Sequence, residues 1–212
     1  MNQQPSRQLR LRRVLAVALA VASTSVPAGI PDQSAATMQL AQERDLAIRT
    51  AIVVEDARVE FIAKRYRRSP EQVRRVVQAT RQAAHRHDLP AALLLAIVAT
   101  ESSFDARARS AYGARGLMQI VPRHHPDVMA AIGGAHRLED PESNIEAGAR
   151  ILAAYIERSG SLDRGLARYS GGARLYADKV RARQLELERI GVQAARLLDN
   201  FQASNAPAAR RG

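Results

Sequence analysis

The segment LPAALLLAIVATE, Leu89 to Glu101, constrains the fold more than any other part of the chain. Every residue from Ala91 to Ala99 is apolar, and Ala and Leu are strong helix formers. Asp88-Leu89-Pro90 supplies a start signal, so the pattern predicts a helix from Pro90 to about Ser103. On a helical wheel Leu94, Ile97, Val98 and Glu101 share one face, because they are spaced by three, four and seven positions. That stripe should face a core or a cleft, and it ends in a carboxyl group. Burial there disfavours the charged form and raises the pKa. A carboxyl that keeps its proton near neutral pH is what a general acid requires. The competing reading is that the helix frays before Glu101 and leaves the side chain in water.

The rest of the chain reads as nearly all-α, with no convincing strand run and no internal repeat. Met38 to Arg68 carries apolar residues close to helical spacing, as one long helix or two short ones. Ser69-Pro70-Glu71-Gln72 is a helix start, with Ser as N-cap and Pro at the first helical position. That helix should run to about His87 with Val73, Val76, Val77 and Ala84 on its inner side. His85 and His87 are two apart, point to different sides of a helix, and read as exposed or capping residues rather than a metal pair. A short helix is expected near Asp127 to Ile132, broken by Gly133-Gly134. Asp140-Pro141-Glu142-Ser143-Asn144 opens another, Ile145 to Arg158, ended by Ser159-Gly160. Leu162 to Tyr169 and Tyr176 to Leu198 are further helical patterns. The small, polar residues ASNAPAARRG close the chain as a disordered tail.

The N-terminus is read as a targeting segment. Arg7, Arg10, Arg12 and Arg13 precede the apolar run Val14 to Ala22, which has signal-peptide length and is too short to span a bilayer. Cleavage after Ala22 or Ala28 is consistent with the small residues there, Ala28 being slightly favoured; the alternative is a retained interfacial anchor. Arg12-Arg13 also allows a twin-arginine signal. The expected layout is a signal peptide at 1–28, an N-terminal helical extension at 29–70, a catalytic domain at 71–195 and the tail at 196–212. Cysteine is absent, which excludes disulfides and a lipid-modified cysteine and is compatible with an oxidising compartment. The net charge is +11, or about +7 without the four N-terminal arginines, which suits an anionic partner: cell-wall carboxylates, lipid headgroups or nucleic acid. Aromatic residues make up only 4%, too few for the stacking platforms of single-strand binders, and export also argues against nucleic acid. Most arginines should simply solvate helix faces.

Behind Glu101 comes ESSFDARARSAYGARGLMQIVP, Glu101 to Pro122. Gly113 and Gly116 permit positive φ and close approach to a ligand, and Ala111 and Ala114 keep the loop thin. Leu117, Met118, Ile120 and Val121 return to the core around Gln119, which faces either a ligand or water.

This stretch resembles the signature of the lytic transglycosylases of bacterial cell walls. The matching residues are Glu101, Ser102, Phe104, Ser110, Gly113, Ala114, Gly116, Leu117, Met118, Gln119 and Pro122. DPESNIEAGARIL resembles a second block of that family, through Asn144, Ile145 and Gly148. ARYSGGARLYADKV resembles a third, ending in Tyr176 and Val180. Val121 stands where the family often has Met, and Ser170 where it usually has Asn. The likeness covers roughly Val73 to Val180. It implies a mostly α, lysozyme-like domain of the goose-type lysozyme and lytic transglycosylase kind, here with its N-terminal helical extension. It implies that Glu101 is the catalytic acid and base. Ser110, Met118, Gln119 and Tyr169 would bind substrate, with Tyr169 hydrogen-bonding near the carboxylate. Ser102, Gly113, Gly116 and Asn144 would be structural.

Ordinary glycosidases flank the scissile bond with two carboxylates, about 5–5.5 Å apart for retention and about 6.5–9.5 Å for inversion. Apart from Glu101, no acid is among the residues that match the family's blocks. Asp105 reads as a residue that caps or solvates the loop, while Asp127, Glu139 and Asp140 have no assignable place in sequence. The resemblance therefore implies a substrate-assisted, non-hydrolytic cut between N-acetylmuramic acid and N-acetylglucosamine, with no metal and no organic cofactor. Two alternatives remain: a lysozyme-like muramidase on the same fold, and a non-catalytic wall-binding scaffold. The expected setting is periplasmic or secreted. The expected partners are peptidoglycan glycan strands and a cell-envelope or secretion-apparatus component. The chain is expected to act as a monomer, with no nucleic acid and no membrane span after signal removal.

Overall fold

The computed structural model describes residues 33–205. The segment read as a signal peptide, and the last seven residues of the chain, lie outside them. Seven α-helices are found among the described residues: α1 (Gln33–Tyr66), α2 (Pro70–His87), α3 (Ala91–Glu101), α4 (Pro126–Ala131), α5 (Pro141–Ser159), α6 (Leu162–Tyr169) and α7 (Tyr176–Asn205). Two short 3-10 turns, Pro122–His124 and Ala135–Glu139, flank α4, and no strand is present among the described residues. The fold is all-α, as its composition and periodicity predict. The chain divides into two compact units after Ala41, and everything below concerns the second, Gln42 onward.

Helix α3 is the axis of that unit. Ala92 to Ala99 are all buried, so the helix is apolar on every side rather than along one stripe. It is enclosed by α2, α7 and the loop that follows Glu101. Leu94, Ile97 and Val98 do not mark a distinct inner face, because the outer face is buried too. Glu101 reaches a cleft because it is the last residue of the helix, where the surrounding shell opens.

The surrounding helices start and stop where short-range chemistry says they should. Ser69 caps α2, its Oγ accepting from the Gln72 amide, with Pro70 in the first turn. Asp140 caps α5, its Oδ2 accepting from both the amide and the hydroxyl of Ser143. Gly160 ends α5 at φ +72°. Ser161 caps α6. Packing is closest between α5 and α6: a Cβ on Gly165 would lie 2.6 Å from Ile156 Cγ1 and 3.1 Å from its Cα.

The stretch read as one helix or two belongs to a single helix, α1, which ends at Tyr66. Its later part is built into the core: Val59 and Ile62 are buried, and Arg58 Nε donates to the Leu187 carbonyl of α7. Burial lowers the pKa of the Arg58 guanidinium, with Glu188 and Glu55 opposing that shift. At the other end, α7 continues to Asn205, into the stretch read as tail from 196. There the Ser204 hydroxyl and the Asn205 side-chain amide nitrogen donate to the Asn200 and Phe201 carbonyls one turn back.

Candidate active site

Glu101 closes α3, and the backbone then turns sharply. Ser103 and Phe104 both have positive φ, 51° and 62°. Such residues cost roughly 1–3 kcal/mol each and persist only where neighbours hold them. Here the Ser102 hydroxyl donates to the Val98 carbonyl, and Arg68 Nε donates to the Ser103 carbonyl. The Phe104 ring is buried 4.9 Å from that of Tyr66. Asp105 accepts from the Arg107 amide, the loop-capping role its position suggested.

The carboxyl group of Glu101 accepts a hydrogen bond from the Tyr176 hydroxyl at 2.6 Å. Its pKa is raised: burial disfavours the carboxylate, and the Tyr176 hydrogen bond offsets only part of that effect. The position at a helix C-terminus works in the same direction, since the dipole end there is negative. Tyr176 is itself pushed up, by burial first and then by the Glu101 charge, so it remains a protonated donor. Glu101 therefore does not sit in water as a frayed terminal residue would.

A cleft of ≈ 660 Å³ opens in front of Glu101. One wall comes from the loop, through Ser110, Tyr112, Gln119 and Val121. The opposite wall comes from α5, α6 and the start of α7, through Tyr155, Arg168, Tyr169, Ser170 and Tyr176. Glu101 is the only carboxylate lining it among the described residues. Asp127 lines a neighbouring cavity, Glu139 pairs with Arg109, and Asp140 is the α5 cap.

The sequence-predicted site residues separate into two sets. Glu101, Ser110, Gln119 and Tyr169 line the cleft. The Gln119 backbone is held at φ 48°, and its amide nitrogen donates to the Ala108 and Gly116 carbonyls. Both N–H bonds are thus spent inside the loop, and the side-chain carbonyl is left to meet a donor. Ser110 Oγ accepts from the Ala114 amide and keeps its own proton to donate. The Tyr169 hydroxyl donates to the Met118 carbonyl at 2.9 Å, close enough to Glu101 for that carboxylate to add to the effect of burial in raising its pKa, while Tyr176 contacts the carboxyl group itself.

Met118, expected to touch substrate, has no exposed surface and does not line the cleft. Its side chain packs on Gly148 of α5, where a Cβ would meet the sulfur at 2.4 Å. Asn144 is the hub that holds this arrangement. Its Oδ1 accepts from the Met118 amide, and its Nδ2 donates to the Arg115 and Leu138 carbonyls. Gly116, at φ +74°, lies so close that a Cβ would fall 2.1 Å from Asn144 Nδ2. Gly113, at φ +90°, turns the loop beside Arg123.

Sequence reasoning missed Tyr176, Tyr155, Tyr112, Arg168 and the His124-His125 pair. Tyr176 could have been found, since it ends the third motif block. The others carry no local signal.

The family model described as "Transglycosylase SLT domain" matches residues 78–189. A transglycosylase of Enterobacteria phage PRD1 is 36% identical over 90 residues, covering 42% of this chain and 32% of that protein. Membrane-bound lytic murein transglycosylase F 2 of Alkalilimnicola ehrlichii is 39% identical over 92 residues, covering 43% of this chain and 19% of that one. Membrane-bound lytic murein transglycosylase C of Haemophilus influenzae is 40% identical over 85 residues, covering 37% of this chain and 24% of that one. The chain thus spans less than a third of the length of each of these relatives. Among solved structures, an inactive variant of the lytic transglycosylase Slt from Pseudomonas aeruginosa aligns at a TM-score of 0.43 and 22% identity, covering 57% of this chain and 24% of that one.

Proposed function

The chain belongs to the transglycosylase SLT domain family, and from that premise we propose that it is an exported lytic transglycosylase cutting peptidoglycan glycan strands in the periplasm or outside the cell. The bond cut is the β-1,4 link between N-acetylmuramic acid and N-acetylglucosamine. The observation that carries the proposal is the single, partly buried carboxyl group of Glu101, with its raised pKa, at the end of a cleft that no other described carboxylate lines.

The chemistry follows from that group. Protonated Glu101 gives its proton to the glycosidic oxygen, and the bond to the muramic acid C1 breaks. The substrate's own 2-acetamido oxygen stabilises the positive C1. Glu101, now a carboxylate, is held by the Tyr176 hydroxyl. It takes the proton from the muramic acid C6 hydroxyl, and O6 closes onto C1 to give a 1,6-anhydro end. Glu101 is restored and no water is consumed. Ser110 and the Gln119 carbonyl contribute polar contacts to the sugars from one wall. Tyr169, tied to Met118, braces the motif loop against α6 from the other.

Digestion of purified sacculi tests this reading. Released fragments should be lighter than hydrolytic products by one water. Reducing-end muramic acid would identify a muramidase instead, and binding without release would identify a scaffold. Glu101→Gln should lower turnover by about 10³-fold, within the usual contribution of a positioned acid–base group. Activity retained in that variant would remove Glu101 from the chemistry.

A further inference from the structure

Two large apolar side chains stand exposed beside the cleft, one at each wall. Tyr112, in the loop after Glu101, is 63% exposed and lines the cleft. Leu175 is 67% exposed and stands between Ala173 and Tyr176, which both line the opposite wall. The other large apolar side chains exposed among the described residues lie on α1 and α7, and none of them lines the cleft. Single exposed hydrophobes are ordinary on a protein surface. These two differ in how they are held. The Arg123 guanidinium carbon lies 4.1 Å from the Tyr112 ring centroid, and Arg123 Nη1 donates to the Tyr112 carbonyl at 2.8 Å. The His124 ring meets the Tyr112 ring edge-on, with centroids 5.9 Å apart. Leu175 has φ 61°, a left-handed conformation that strains any residue with a Cβ. Its side chain buries little in return. Glycine at this position would relieve the strain and leave no apolar group in water, as Gly171 and Gly172 do in the same loop at φ 66° and 85°. Neither packing nor solvation therefore explains a leucine there.

We propose that Tyr112 and Leu175 contact the substrate, taking the apolar faces of pyranose rings in one glycan strand from the two sides of the cleft. A pyranose ring carries its hydroxyls around its edge and presents C–H groups on its faces. The negative face of an aromatic ring attracts such groups, and a leucine side chain adds dispersion contacts. Arg123 and His124 fix the Tyr112 ring before any sugar arrives, which lowers the entropy lost on binding. Both contacts are uncharged, so they do not weaken with salt as an attraction between arginines and wall carboxylates would. The proposal rests on the glycan-cutting reading above. It adds two residues that set how tightly a strand is held rather than how fast its bond breaks.

The probe is a soluble, peptide-free strand of alternating N-acetylglucosamine and N-acetylmuramic acid. In the full chain carrying Glu101→Gln, calorimetry should show binding weakened about ten-fold by Tyr112→Ala and about ten-fold by Leu175→Gly. Both factors should be the same at low and high salt. With Glu101 intact, each substitution should raise KM by a similar factor and leave kcat within about two-fold. Tyr112→Ala keeps the carbonyl that Arg123 binds, so the loop should survive. Leu175→Gly should melt no earlier than the parent, because it removes strain; a leucine that served the fold alone would give a lower melting temperature and an unchanged affinity. Affinity within about two-fold of the parent in either variant would overturn the proposal, as would an earlier melting of Leu175→Gly. Failure of the functional reading looks different: the protein with Glu101 intact would leave the strand uncut, whatever the two substitutions do to affinity.

Discussion

Two loops face each other across the cleft, and they are held in opposite ways. The loop from Ser102 to Val121 is pinned throughout. Asn144 binds it at Met118 and Arg115, Gln119 binds it to itself, and Tyr169 binds it from α6. Gly116 sits where no side chain fits. The loop from Ser170 to Leu175 carries glycines at φ 66° and 85°, yet nothing lies within 4 Å of a Cβ on either. Its side-chain hydrogen bonds are local, from the Ser170 hydroxyl to the Ala167 carbonyl and from the Ala173 amide to Ser170 Oγ. A long motif therefore does not mean many chemical groups. Most of the first loop's signature is scaffolding that holds a few polar atoms opposite one carboxyl group. In the second loop, glycine serves backbone conformation alone.

That contrast can be broken by substitution. The largest effect should come from Asn144→Ala, which leaves the Met118 amide and the Arg115 and Leu138 carbonyls without their partner. A loss of about 4 kcal/mol is expected by urea unfolding. A loss below about 1 kcal/mol would show that the loop is not held this way. Gly116→Ala should follow at about 3 kcal/mol, combining overpacking with a strained φ.

Tyr176→Phe keeps the fold and alters the acid. Its hydroxyl stabilises the Glu101 carboxylate and so lowers a pKa that burial raises. A general acid acts while protonated, so activity falls as pH rises through that pKa. Removing the hydroxyl raises the pKa further, and the alkaline limb of the pH–rate profile should move to higher pH. A limb that stays in place, or moves down, would detach Tyr176 from Glu101.

The same raised pKa makes the native state hold the Glu101 proton more tightly than the unfolded chain does. Stability contributed by this residue should therefore decline as pH rises from the unfolded to the folded value. In Glu101→Gln that decline should be missing from the urea midpoints.

The smallest effect belongs to Gly172→Ala. With open space around it, only its backbone conformation resists, and about 1 kcal/mol is expected. A loss as large as that of Gly116→Ala would show that the second loop is packed after all.

Much of this arrangement can be read without coordinates wherever it depends on neighbours in sequence. Ser69, Asp140 and Gly160 bound their helices through contacts a few residues long. Glu101 ends its apolar helix because the run itself stops there. The motif suggested a structural role for Asn144, and its hydrogen bonds all go to backbone. It placed Met118 in the wrong set. Gly116 and Leu117 before it are buried, Gln119 to Val121 after it line the cleft, and nothing local says on which side Met118 falls. Gly148, thirty positions later, makes room for it in the core.

The chain's own order thus determined the all-α class, the capped limits at Ser69, Asp140 and Gly160, and the position of one carboxyl group at the edge of a buried helix. These are short-range matters of propensity, capping and hydrophobic run length. Tertiary structure alone decided what surrounds that carboxyl group. It brought Tyr176 to Glu101 across 75 residues, turned Tyr169 to the loop instead, and gathered Arg158 and Arg168 on one tyrosine ring. Such contacts join residues far apart along the chain, and their geometry is set by how whole helices pack, which no local pattern encodes.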